Sequence, residues 1–181
     1  MDKTTTEQTL AQWLEREHTI RATVGAKAGL ATREQIAGKT GLEVMQAVLL
    51  GQLPYAHIAD TMDFCLVEVA QGRAVFQGTP QLKHYNPLGT VHGGWYATLL
   101  DSAVGCAVHT ALGVGVGYTT AELGINIVRA ASSQTGPLRA IGNVIHVGRQ
   151  LATAEGKIVD AAGKLYAHAT TTCMVFQPKV S

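Results

Sequence analysis

Charge is scarce in this chain. Only 15% of its 181 residues are Asp, Glu, Lys or Arg, against about 25% in an average soluble domain, and the formal net charge is +1. No basic stripe advertises nucleic acid, and so little charged surface points to faces buried between subunits. Cysteine is scarce too: Cys65, Cys106 and Cys173 are odd in number, lack any C-x-x-C spacing and lie in apolar runs, so they read as reduced core thiols rather than a disulfide framework. The N-terminal MDKTTTEQTL lacks the apolar stretch of a signal peptide, which with the free thiols predicts a cytoplasmic protein. Repeats, low-complexity tracts and linkers rich in Pro or Ser are missing, and the length fits one domain with an appendage.

One segment invites a membrane reading. Trp95 to Gly117 holds no Lys or Arg and is long enough to span a bilayer, but it carries Asp101 and His109 and has no basic flank. A buried helix followed by a glycine loop fits better, and no membrane partner is expected. Gly113, Gly115 and Gly117 follow a helix and precede a strand, the reverse of the order in a dinucleotide-binding turn.

Two regimes of periodicity divide the chain. Residues 1–52 read as a helical extension: Leu10, Trp13, Leu14 and Ile20 form a loose apolar stripe, Thr32 with Gln35 and Thr40 with Glu43 have capping-box spacing, and Leu42, Met45, Val48 and Leu49 share a face ended by Gly51 and Pro54. Residues 53–181 read as a second unit in which the period becomes two. Strands are predicted on both sides of the turn at Gln71-Gly72, then across TTAELGINIV, and finally as three more that turn at Gly148-Arg149 and at Asp160 to Gly163. In TTAELGINIV the alternation puts Ala121, Leu123, Ile125 and Ile127 on one face and Thr120, Glu122, Gly124 and Asn126 on the other. In the last strand Leu165, Ala167, Ala169, Cys173 and Val175 face inward. Five to six strands clustered about one long helix predict an α+β fold, an antiparallel sheet wrapped around that helix.

The chemistry concentrates in NPLGTVHGGWYATLLDSAVGC, residues 86–106. Gly93 and Gly94 stand where the first helical amides have no intrahelical partner and where a missing Cβ lets a ligand approach the backbone. Amides at a helix N-terminus suit a carbonyl oxygen that gains negative charge, a stabilisation of about 3 kcal/mol in a dry site. Packing of the helix start is the plainer use of two glycines. Asp101 follows on a stripe of small residues, Gly94, Ala97 and Gly105, and a carboxylate there is costly unless hydrogen-bonded or functional. Eight residues of helix span about 12 Å, too far for Gly93 and Asp101 of one copy to serve one carbonyl. A second copy packed alongside would bring its Asp101 to the Gly93 of the first, which predicts a dimer with composite sites.

These residues resemble a known family, the hotdog-fold acyl-CoA thioesterases of the PaaI-like, phenylacetate-degradation type. The signature stands here as Asn86, Gly89, His92, Gly93, Gly94 and Asp101, and the resemblance runs from about Leu53 to Phe176. It implies a hotdog fold, homodimers or homotetramers, and hydrolysis of acyl-CoA without metal or cofactor. It further implies that the Gly93 amide polarises the thioester carbonyl and that Asp101 acts as general base or nucleophile. Asn86 and His92 would orient substrate or loop, and Thr120 falls where relatives carry a hydroxyl that helps place water. Two departures are Ala130, where many relatives have Pro, and the N-terminal helices.

The remaining candidates are weaker. Arg129 and Arg149, the latter beside Gly148, are candidates for the CoA phosphates, although arginines at strand ends and turns usually face water. His84, His109, His146 and His168 lack zinc-ligand spacing. Two rival readings stay open: an enoyl-CoA hydratase or dehydratase that pairs His92 with Asp101, and an acyl-CoA binding module without turnover.

Overall fold

The computed structural model describes residues 3–176. Four helices come first, α1 (Lys3–Val24), α2 (Arg33–Ile36), α3 (Gly41–Leu49) and α4 (His57–Met62), followed by β1 (Phe64–Ala70) and β2 (Arg73–Gly78). A 3-10 turn (Leu82–His84) leads to the long helix α5 (Gly93–Thr110), and β3 (Gly117–Ile127), β4 (Leu138–Val147), β5 (Leu151–Val159) and β6 (Leu165–Phe176) complete the chain. The strands form one sheet in the order β1-β2-β4-β5-β6-β3, every neighbouring pair antiparallel. It wraps around α5, which is the α+β arrangement expected from the pattern and the hotdog fold that the resemblance implies.

Local chemistry sets the helix ends. Thr32 and Gln35, and Thr40 and Glu43, form reciprocal capping boxes at α2 and α3. Past α3 the chain turns at Gly51, whose φ is +67° and whose hydrogen points at the Thr23 carbonyl; a Cβ there would stand 2.6 Å from that oxygen.

The core forms because α5 lies almost on the sheet backbone. Gly142 of β4 and Gly156 of β5 are paired in register, and α5 rests on both. A Cβ on Gly142 would overlap the Ala103 carbonyl, and one on Gly156 would stand 2.6 Å from Val104 Cγ1. Leu99, Leu100, Ala103, Val104, Ala107 and Val108 of α5 are completely buried. Alternation in β1 and β2 then divides the apolar residues between two faces. Phe64, Leu66, Ala74 and Phe76 pack towards α5, whereas Cys65, Val67 and Val75 pack against Ile20 and Val24 of α1 on the outer face.

That outer layer is also joined by a polar network. Gln77, fully buried, donates to the Trp13 carbonyl and to Glu17, and its own oxygen accepts from Arg139 Nε at 2.8 Å. Arg139 continues to Glu68 at 2.7 Å and lies 4.4 Å from the Trp13 ring centre. Gln77 and Arg139 thus both find partners, as a buried amide and guanidinium must.

Two expectations need correction here. The α1 stripe expected from Leu10, Trp13, Leu14 and Ile20 does not include Leu14, which is 49% exposed. Trp13, Glu17, Ile20 and Val24 form the contact face instead, because Glu17 answers the buried Gln77. In β3 the register shifts between Thr120 and Glu122, so Ala121 is an extra residue that reverses the alternation. Thr120 and Tyr118 therefore share the helix-facing side with Leu123 and Ile125, and Thr120 does not lie on the polar face with Glu122.

No helix among the described residues is long and apolar enough to cross a membrane. The proposed units 1–52 and 53–181 extend beyond the described residues at both ends of the chain.

Replacing Gly142 with Ala drives a methyl group into the backbone of α5, where no side chain can rotate away. The Gly142→Ala protein should lose about 3 kcal/mol or more of stability in urea unfolding, the upper range for overpacking. A cost under about 1 kcal/mol would show that α5 is free to lift from the sheet.

Candidate active site

The loop before α5 is held together by one side chain. Asn86 Oδ1 accepts from the amides of Leu88 (2.9 Å) and Thr90 (3.2 Å), and its Nδ2 donates to Thr90 Oγ1 at 2.9 Å. Both ends of Asn86 are spent on the loop, so the residue shapes the approach to the helix. The following Val91 amide donates to the Ala131 carbonyl and the His92 amide to the His84 carbonyl, which fixes where α5 begins.

His92 is the N-cap. Its Nδ1 accepts from the Gly94 amide at 2.8 Å, which assigns the ring proton to Nε2. The two glycines consequently differ: the Gly94 amide is consumed by its own cap, while the half-buried Gly93 amide donates to nothing among the described residues. One open donor stands on the positive end of the helix dipole. Ile127 Cδ1 lies 3.3 Å from where a Cβ of Gly93 would be, so the site abuts the end of β3.

Asp101 lies further along α5 and is half-buried rather than sealed. Thr120 Oγ1 donates to its Oδ1 at 2.9 Å, and Oδ2 has no hydrogen-bond partner among the described residues. The bulge at Ala121 makes this contact, and strict alternation in the sequence conceals it. A carboxylate with one oxygen fixed and one open can orient and deprotonate a water molecule, or attack a carbonyl itself.

Cysteine is not a rival nucleophile here, because burial pushes the Cys106 thiol up to about 12. A groove of about 470 Å³ runs past the start of α5 between Lys83, His84, His92, Gly94 and Thr98. His84, which the sequence marks only as lacking zinc-ligand spacing, also lines this groove. It is buried and stacked on Trp95, its Nδ1 accepts from the Gln81 amide, and its Nε2 is unpartnered.

The structure does not bring all candidates together. Arg129 is exposed, donates to the Leu165 carbonyl at 3.2 Å and lies over Tyr166, at the end of the sheet near the α5 N-terminus. Gly148 and the exposed Arg149 occupy the β4–β5 turn, where the Gly148 amide bonds the Leu151 carbonyl. Residues 151 to 159 of β5 separate the two ends by about 26 Å at 3.3 Å per residue, so both arginines of one copy cannot hold one phosphate group. The described residues contain no cluster of His, Cys, Asp or Glu placed to bind a metal ion.

Residues 88–167 match the thioesterase superfamily model. The chain is also 31% identical over 108 residues, 60% of its own length and 86% of the relative's, to a 1,4-dihydroxy-2-naphthoyl-CoA hydrolase of Listeria monocytogenes. The chain belongs to the thioesterase superfamily. Among solved structures, this thioesterase superimposes on a phenylacetic acid degradation-related protein of Ralstonia eutropha with TM-score 0.65 and 28% identity, over 71% of this chain and 97% of that one. The fold is likewise that of PaaI from E. coli, TM-score 0.62 and 21% identity, over 69% and 88% of the two chains. The protein is a PaaI-like hotdog thioesterase, and the reaction of that class is hydrolysis of a thioester.

Burial lowers the pKa of His84, with Lys83 adding to the effect, and burial alone lowers that of His109. A histidine depressed in the folded state stabilises above its unfolded value, near 6.5, and that contribution is lost as pH falls through the folded value. The urea midpoint should therefore be lower at pH 5.5 than at pH 7.5, and His109→Phe, which keeps the contact with Tyr118, should narrow the difference. Equal midpoints for the native protein at the two pH values would contradict the assignment.

Proposed function

We propose that the protein hydrolyses acyl-CoA thioesters to free acid and CoA in sites shared by two protomers. The Gly93 amide of one protomer polarises the thioester carbonyl, and Asp101 of the partner subunit delivers water as general base or attacks as nucleophile. The observation that carries this reading is the open Gly93 amide at the tip of a helix whose only carboxylate lies eight residues further in. Distance along the helix, about 12 Å, keeps the two groups of one copy apart.

The edge of the sheet supports the dimer. β3 pairs with β6 on one side and with no strand on the other among the described residues, and Ile127 and Val128 at its end are about half exposed. A long open edge of this kind is a template for pairing with another chain. Joining two β3 edges about a two-fold axis lays the α5 helices side by side, the arrangement that the chemistry needs. Two such dimers would make a homotetramer.

The roles of the remaining residues follow from their bonds. Thr120 fixes one oxygen of Asp101, His92 caps the helix so that the Gly93 amide points outwards, and Asn86 sets the loop. Arg129, on the α5 N-terminal side, meets the CoA phosphates of its own protomer's site. Gly148 and Arg149 are far from that point and take part only if the two-fold brings the partner's turn to it. The reaction runs in the cytoplasm.

Proline at the first helical position keeps the helix, removes the amide hydrogen and adds a ring whose Cβ stands 3.3 Å from Ile127 Cδ1, and His92, with φ −63° and ψ 138°, already has the backbone that precedes a proline. Gly93→Pro should cut CoA release about 100- to 1,000-fold, and Asp101→Asn should do the same or more, as read with a thiol reagent over a panel of acyl-CoAs. Hybrids formed by refolding the two variants together contain one site with both native groups, so a random mixture should regain up to about a quarter of native activity. Verified hybrids without activity would remove the shared site, and a native protein that releases CoA from no acyl-CoA would remove the hydrolase reading.

A further inference from the structure

About 30% of this chain lies outside its match to the Ralstonia eutropha structure, which is itself covered almost completely. A cavity of about 330 Å³ lies where the helices that precede the sheet meet it. Its walls come from α1 (Ile20, Val24), α3 (Met45, Val48) and α4 (Ala59), with Phe64 and Leu66 of β1 behind them. At its inner end stand Ser102 and Cys106 of α5. Ser102 directly follows Asp101, so the cavity reaches α5 one residue from the carboxylate, about 1.5 Å along the axis and roughly 100° around it.

The wall is apolar in effect as well as in composition. Ser102 Oγ donates to the Thr98 carbonyl of its own helix, which leaves no hydroxyl hydrogen for a ligand. The charged groups at the rim are paired: Arg21 with Glu17 and Asp63, and Asp60 with the Tyr55 hydroxyl. Cys65 and Cys106 are held as neutral thiols, each pushed up to about 12 by burial. The space opens to the surface beside the exposed Leu30 and Ile58. Its volume falls within the range of small-molecule pockets.

We propose that this cavity receives the acyl group of the substrate and that the preferred substrate is the thioester of a large, apolar acyl group. The inference rests on the acyl-CoA hydrolase reading and adds the acyl group to it. With a methylene given the ~30 Å³ that a water molecule takes in the liquid, 330 Å³ holds about ten carbons. Because the cavity reaches α5 at Ser102, the residue after Asp101, the acyl group threads into the protomer that supplies the carboxylate, while the carbonyl is gripped by Gly93 of the other. The N-terminal helices are then part of the substrate site, and their side chains set the size of the acyl group.

Two plugs test this from opposite walls, Val48→Trp on α3 and Ala59→Leu on α4, each checked for folding by circular dichroism. Calorimetry should show decanoate binding to the native protein and at least tenfold weaker binding to a folded plug variant. The ratio of kcat/KM for decanoyl-CoA over acetyl-CoA should fall at least tenfold in the same variant. No binding of decanoate to the native protein, or binding and ratio both unmoved in both folded variants, overturns the inference and leaves the hydrolase reading intact. Release of CoA from no acyl-CoA at all overturns the hydrolase reading instead, and the decanoate measurement then decides the cavity by itself.

Discussion

Close contact between α5 and the sheet is the constraint on which the rest depends. Gly142 and Gly156 face each other across β4 and β5, and without side chains at either position the helix backbone settles directly on the strands. A helix so near the middle of a sheet obliges the outer strands to curl around it. That curl brings the end of β3 to the tip of α5, where Ile127 meets Gly93, and brings Thr120 to Asp101. Both halves of the proposed chemistry are thus set by the same seating of one helix.

The start of α5 shows how a few hydrogen bonds can turn a backbone into a binding element. Four amides at a helix N-terminus lack intrahelical acceptors. Here the Gly94 amide is answered by His92 Nδ1 and the Trp95 amide by the His92 carbonyl, while the Gly93 amide stays open. His92 therefore matters through the donors it removes as much as through any contact with a ligand. Asn86 does comparable service for the loop, since its whole side chain is committed to neighbouring backbone and Thr90.

The N-terminal helices are woven into the domain. α1 covers the outer face of β1, β2 and β4, where Gln77 and Arg139 would be stranded in an apolar layer if Trp13 and Glu17 did not meet them. Meanwhile α3 and α4 roof the apolar space beside α5. One segment thereby satisfies buried polar groups on one side of the sheet and builds a cavity on the other.

Much of this was legible in the residues alone, because it rests on local rules. The reciprocal boxes at Thr32 and Thr40, the turns at Gly72 and at Asp160 to Gly163, the central helix and the glycine pair at its mouth all follow from spacing and backbone preference. What remained hidden depends on contacts between distant segments. A single extra residue at Ala121 swings Thr120 to Asp101, and no alternation pattern announces a bulge. Which glycine amide is free was decided by the rotamer of His92, the separation of Arg129 from Arg149 by the strands between them, and the cavity by helices more than forty residues from Ser102. The sequence by itself determined the elements, their order and the chemical groups at hand, since those obey periodicity and capping over a few residues. Only the tertiary structure decided which donors stay unpaired and which oxygens stay open, since that is settled by the neighbours that packing brings from far along the chain.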